Sequence, residues 1–209
     1  MAISQNPITG QMRKSYANVN TYTHKGQNVI SAKAFNRKDA NTNAQQFHRA
    51  SFKLVVDAFT ALGGYAEKSF PQRNIKQSAY NVFMAANLPN AIDSTGDVPL
   101  LDYSKLVVAK GSMLGVEFES ATLGAEGIVL QCRSLIEYPK AFAHDEVVAL
   151  VKRAGRAVKA FSTVRGDDET LQIEIAMPGI SKDDVEFIYV YVLSKDGSKA
   201  SNSIYVQLT

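Results

Sequence analysis

Apolar side chains follow two different rhythms along this chain. Between residues 42 and 87 they recur every three or four positions, and from about residue 103 they come in short runs divided by turn residues. The first rhythm predicts helices and the second predicts strands. Phe47, Ser51, Leu54, Val55, Ala58 and Leu62 make a helical stripe. Thr42-Asn43-Ala44-Gln45 supplies a capping box at its start, in which each terminal side chain can reach the other residue's N–H. Gly63-Gly64 ends it with a residue free to turn left-handed. A second helix is predicted over residues 75–87, where Ile75, Ala79, Val82, Phe83 and Ala86 share a face and Pro89 stops the run.

The later runs predict eight strands, at residues 104–109, 115–119, 127–133, 146–153, 156–164, 170–177, 186–193 and 202–208. Gly111-Ser112, Gly155, Gly166-Asp167-Asp168, Pro178-Gly179 and Lys195-Asp196-Gly197 stand between them as turn signals. So many short strands in such a length predict an immunoglobulin-like antiparallel β-sandwich. Residues 186–193 are apolar at both parities, so this strand is expected to be central and covered on both faces.

Ahead of the helices, residues 14–23 and 28–35 predict a β-hairpin turning at His24-Lys25-Gly26-Gln27. Ser15, Asn18, Asn20, Thr21 and Thr23 leave it little to bury, and such a hairpin is marginal alone. Residues 1–12 show no periodicity and read as an arm. The expected fold class is therefore α+β. An arm (1–12) leads to a module of β-hairpin and αα-hairpin (13–90), then a turn-rich junction (91–102), then the β-sandwich (103–209).

Charge sharpens this division. Residues 1–56 hold eight lysines and arginines against Asp39 alone, a surplus of seven, whereas the rest of the chain has fifteen bases and nineteen acids. The basic and aromatic residues available for a partner are Arg13, Lys14, Tyr16, Tyr22, Lys25, Lys33, Arg37, Lys38, Arg49 and Lys53. They suit either an acidic surface on another subunit or the phosphates of a nucleic acid. The predicted second helix has no Arg or Lys after Lys76, which argues against a DNA-reading helix-turn-helix.

Other chemistry is sparse. With Cys132 as its only cysteine, the chain forms no internal disulfide and no cysteine-based zinc cluster. His24, His48 and His144 lack metal-ligand spacing. The acidic runs Gly166–Glu169 and Lys182–Asp184 fall between strands, where acidic turns are common, and lack the spaced oxygen ligands of a calcium loop. No phosphate-cradling glycine loop or nucleophile elbow occurs, so neither an enzymatic activity nor a cofactor is expected. No apolar run is long enough to span a bilayer, and the start lacks the apolar segment of a secretory signal. Cytoplasmic synthesis is expected, with later release or incorporation into a particle left open.

Two motifs carry a family likeness: Thr42, Gln45, Arg49 and Phe52 at the helix start, and Ser194, Asp196, Gly197, Ser201, Ser203 and Tyr205 near the end. With the intervening "DYSKLVVAKGSM", they resemble the DUF6266 family of Bacteroidota proteins in order across nearly the whole chain. The resemblance implies an architecture and a host group, and no particular chemistry. The expected function is that of a structural or assembly protein, a homo-oligomer or virion component. The alternative is a nucleic-acid-associated protein using the basic N-terminal region.

Overall fold

The computed structural model describes residues 2–4, 14–35 and 39–208. The chain divides into two compact units, Met1–Thr42 and Asn43–Thr209, a different partition from the blocks read from the sequence.

In the first unit, β1 (Ala2–Ser4), β2 (Lys14–Tyr16), β3 (Val19–His24) and β4 (Gln27–Ala32) form one antiparallel sheet in the order β1-β4-β3-β2. The hairpin turns where expected. His24 faces Gln27 across Lys25 (φ 50°) and Gly26 (φ 81°), the two positive dihedrals that match a tight turn to the strand twist. The expected long strand 14–23 is broken by a second turn at Ala17-Asn18, with Ala17 at φ 47°. This folds β2 back onto β3, so the element is wider than a hairpin. Ser15 Oγ donates to Asn20 Oδ1 (2.5 Å) and Thr21 Oγ1 to the Lys14 carbonyl (2.7 Å), so polar side chains pair where apolar ones would ordinarily pack. Among the residues of this unit whose burial is described, 14, 15, 17–35 and 39–42, Val29 is the one buried apolar residue.

The second unit opens with α1 (Asn43–Leu62), which starts just after Thr42. Its buried side is Ser51, Val55 and Leu62, while residues 43–50 are exposed except for half-buried Phe47. A short α2 (Gly64–Lys68) follows where only a turn was expected. The third helix, α3, is Ala79–Asn87 rather than 75–87. Ser78 fixes its start by accepting the Asn81 N–H (3.2 Å), and Ile75, placed on the stripe by periodicity, is fully exposed. A capping hydroxyl outweighed one apolar match to the pattern.

Next come a two-stranded pair, β5 (Ile92–Asp93) with β6 (Leu100–Leu101), and then seven longer strands. These are β7 (Glu117–Gly124), β8 (Gly127–Arg133), β9 (Glu146–Arg153), β10 (Lys159–Val164), β11 (Thr170–Ala176), β12 (Val185–Leu193) and β13 (Ile204–Val206). They form a three-stranded sheet, β11-β8-β7, and a four-stranded sheet, β10-β9-β12-β13, antiparallel throughout. The facing sides of the two sheets share one core: Ile128, Leu130 and Cys132 with Ile173 and Ile175 on one side, and Val147, Ala149 and Val151 with Ile188, Val190 and Val192 on the other.

The expected coverage of residues 186–193 on both faces is borne out. The opposite parity of β12, Phe187, Tyr189, Tyr191 and Leu193, packs into a second core with Val55, Leu62, Phe70 and Phe83. The helices thus cover the outer face of the four-stranded sheet. Burying one such side chain contributes about 1.5–3 kcal/mol, so β9 and β12, covered on both faces, anchor the unit.

The strand expected at 104–109 does not form. Asp102 accepts the Ser104 N–H (3.0 Å) and starts a short 3-10 turn, Tyr103–Lys105. The extended segment beyond it satisfies its backbone without a ladder. Asn87 Oδ1 accepts the Val107 N–H (2.7 Å) and Asn87 Nδ2 donates to the Val107 carbonyl (2.9 Å). Ser203 Oγ accepts the Val108 N–H (3.1 Å), and the Lys110 N–H donates to the Ser69 carbonyl (3.2 Å). Apolar pattern alone does not distinguish a strand from a buried strap held by side chains.

Candidate functional site

A polar sheet has two ways to interact: its open edges and its exposed side chains. In the first unit β1 and β2 are the outer strands, each three residues long, and each leaves one side of its backbone outside the ladder. The basic and aromatic residues picked out by sequence are spread over this sheet and α1. Lys14 lies in β2 opposite Thr21, and Tyr22 lies in β3 opposite Val29. Those positions differ in parity, so Lys14 and Tyr22 occupy opposite faces. Lys25 is exposed at the hairpin tip, and Tyr16 lies in β2 opposite Val19. Lys33 places its ammonium 5.8 Å from the centre of the Phe35 ring, a cation–π contact, and Phe35 is 59% exposed. Arg49 and Lys53 lie on the exposed side of α1, in the second unit. Arg13, Arg37 and Lys38 lie outside the described residues.

The C-terminal motif builds the loop between β12 and β13. Ser194 Oγ donates to Asp196 Oδ1 (2.6 Å) and accepts the Lys199 N–H (2.9 Å). Ser198 donates to the same carboxylate through its N–H (3.0 Å) and its hydroxyl (2.8 Å). These donors hold the Asp196 carboxyl down at about 2. Ser201 Oγ accepts the buried Val192 N–H (2.9 Å), Ser203 holds the strap at Val108, and Tyr205 packs against Tyr189 at 5.6 Å between ring centres. Gly111 is required where the strap passes this loop, because a Cβ there would stand 2.1 Å from the Ala200 carbonyl oxygen. The motif is thus explained by folding: it latches residues 106–113 to the last two strands.

Sequence reading missed Arg165, which is 1% exposed. Its Nη1 donates to the Ser134 carbonyl (2.9 Å), and its Nη2 donates to those of Leu114 (2.7 Å) and Gly115 (3.2 Å). Asp145, also buried, stands 3.9 Å from Nε and accepts the Phe142 N–H (2.9 Å). Burial lowers Arg165 and raises Asp145 from their ordinary pKa values. One charged residue after a strand carries no periodic signal, so nothing in the sequence marked it.

No group of three or more His, Cys, Asp or Glu residues suited to a metal ion occurs among the described residues. The acidic runs are occupied by structure. Asp184 accepts the Ser181 N–H (3.1 Å) and pairs with Arg153 (3.3 Å), the Asp168 carbonyl accepts the Ser134 hydroxyl, and Glu169 pairs with Arg133 (3.2 Å). His24, His48 and His144 are each exposed. Cys132 is buried, and burial raises its thiol to about 11, so it is a packing residue. No helix among the described residues is long and apolar enough to cross a membrane.

The model of a family of unknown function, DUF6266, matches residues 10–207 of the chain. No curated protein and no solved structure matches it.

Proposed function

The chain belongs to the DUF6266 family, whose function is unknown, and from its own geometry we propose that it is a non-enzymatic assembly protein acting through subunit contacts made by its N-terminal sheet. One observation carries the reading. Among the residues of the first unit whose burial is described, one apolar side chain is buried, yet the sheet has four strands, with an edge of β1 and of β2 outside the ladder among the described residues. Hydrophobic burial of that size falls well short of the ordering entropy of about 1–2 kcal/mol per residue. A further strand or surface, supplied by a second copy, would complete it. The surplus of bases in residues 1–56 and of acids in the remainder suits a head-to-tail contact, which closes into rings or extends into filaments. A repeating particle such as a virion of a Bacteroidota host is the setting this fits.

Under this reading the body of each subunit is an immunoglobulin-like sandwich with helices added on one face. The pairing order supports it. In chain order, β7, β8 and β11 take the places of strands A, B and E, and β9, β12 and β13 those of C, F and G, with β10 beside C. Removing residues 1–36 is expected to leave a folded monomer that no longer assembles. Light scattering tests it, and an assembly of unchanged subunit number in the truncated protein refutes it.

A second reading, nucleic-acid association, draws on the exposed Tyr22 and the Lys33–Phe35 pair. Against it, Lys14 and Tyr22 face opposite ways, so they do not form one stacking track. A gel-shift titration at two salt concentrations separates the readings, because phosphate contacts weaken steeply with salt.

A further inference from the structure

At one end of the second unit, the loop between β8 and β9 (134–145) meets the loop between β12 and β13 (194–203) around a hollow of about 330 Å³. The floor is Met113, and Phe142, Lys140, Lys199 and Asp196 stand around it. Beyond Phe142 a second, more open hollow of about 520 Å³ is lined by His144 and Lys195, so the ring divides two adjoining spaces.

Three observations separate this end from an ordinary loop surface. First, Phe142 is 60% exposed on a loop that is held fast. Its N–H donates to the Asp145 carboxylate and its carbonyl accepts the Asp145 N–H (3.0 Å), while the neighbouring Ala141 is buried. Arg165 holds the start of the same loop through the Ser134 carbonyl. The backbone thus presents a large apolar ring to solvent at the hollow, and a ligand would bury it.

Second, Lys140 sits at φ 72°. The left-handed region costs a side-chain-bearing residue about 1–2 kcal/mol, which glycine would avoid. From that position Lys140 lines the hollow.

Third, the charges at the hollow are unequal. Lys140 and Lys199, the two ammonium groups lining it, are in no ion pair among the described residues. The carboxylate facing them, Asp196, is engaged by the hydroxyls of Ser194 and Ser198 and the Ser198 N–H. Those contacts also tie residues 194–198 of the opposite wall together. Two hydrogen-bonded loops, an exposed apolar ring and a surplus of ammonium groups are the elements of a small ligand site.

We propose that this hollow binds a small ring-bearing carboxylate, its ring against Phe142 and its charge between Lys140 and Lys199. The site is independent of the N-terminal sheet and of the assembly reading. The ring gains burial on Phe142 and Met113, and the carboxylate gains charge-assisted hydrogen bonds from the two ammonium groups.

The test is a titration of the ¹⁵N-labelled full-length chain with sodium benzoate, followed by amide shifts, alongside benzamide (same ring, no charge) and acetate (same charge, no ring). Benzoate is expected to give saturable shifts at millimolar concentration, confined to residues 140–145 and 194–199. Benzamide and acetate should bind roughly ten-fold more weakly or not at all, a difference of about 1.4 kcal/mol. Phe142→Ser, and Lys140→Gly combined with Lys199→Met, should each reduce benzoate affinity by a similar factor. Glycine at 140 relieves the backbone while removing the side chain with its ammonium, methionine at 199 keeps an apolar stem without the charge, and the amide spectrum of the variant shows directly whether it is folded. Absence of saturable benzoate shifts, equal binding of benzamide, or unchanged affinity in the lysine variant overturns the proposal.

Discussion

Replacing Arg165 by methionine asks what holds the loop end of the two sheets together. The guanidinium donates to three backbone carbonyls, those of Ser134, Leu114 and Gly115, from a site 1% exposed. Methionine fills most of the volume and donates nothing. Each of the three carbonyls, one buried and two half-buried, costs about 1–3 kcal/mol when left without a partner. Arg165→Met should therefore destabilise the fold by about 3–5 kcal/mol, or roughly 6–20 °C in Tm for a chain of this length. Asp145→Asn should cost at least about 2 kcal/mol less by the same accounting. Its oxygen can still accept the Phe142 N–H, and Arg165 keeps all three carbonyls. The ion pair is long at 3.9 Å, and Nε has no hydrogen-bond partner. Burial shifts both pKa values toward the neutral forms, so desolvation outweighs the mutual attraction of the pair. Urea unfolding followed by circular dichroism at neutral pH measures both variants. Equal or greater loss in Asp145→Asn would refute the reasoning, because the ion pair rather than the carbonyl clamp would then carry the stability. Asp145 also gives a signed pH effect. Its folded pKa is raised, so the stabilisation it gives is full below its ordinary value of 3.8 and is lost as pH rises through the folded value. Asp145→Asn should remove that decline and so compare better with the parent chain at neutral pH than at acid pH.

Four further outcomes are expected. Asn87→Ala leaves the Val107 N–H and carbonyl unpaired in a largely buried strap and should cost about 2–4 kcal/mol by chemical denaturation. Gly111→Ala drives a methyl group onto the Ala200 carbonyl and should lower Tm, whereas the same change at Gly96, with nothing nearer than 3.8 Å, should leave it nearly unchanged. Leu150→Ala, in doubly covered β9, should cost about 2–5 kcal/mol. The Asp196 carboxyl should titrate near 2 by carbon-detected NMR, its stabilisation present above the ordinary 3.8 and lost as pH falls toward 2; a midpoint at 3.8 would show that the serine network is not formed.

Much of the second unit was legible because periodicity and burial coincide there. Residues 127–133 and 146–153 fold as strands with those very bounds, since each is apolar at core positions and closed by turn residues. The two-faced burial of β12 was readable from its unbroken apolar run, although the layer on its tyrosine side proved to be helices. What escaped reading depends on polar side chains acting at a distance in sequence. Asn87 and Ser203 turn residues 106–109 from a strand into a strap, and Ser78 starts α3 late. The second turn of the N-terminal sheet, at Ala17-Asn18, lacks glycine and so gave no signal. The binding candidates were legible as a charge imbalance, but not as a surface: strand parity places Lys14 and Tyr22 on opposite faces. The hollow beside Phe142 joins loops some fifty residues apart in the chain, and sequence spacing does not report such a meeting.

In the proposed assembly a second copy completes the N-terminal sheet. Hydrogen–deuterium exchange over a range of protein concentrations tests it most directly. Protection rising with concentration at residues 2–4 and 14–32, with the core amides of β9 and β12 unchanged, is the result predicted. Concentration-independent exchange throughout the first unit, or protection gained only in the second, would contradict it.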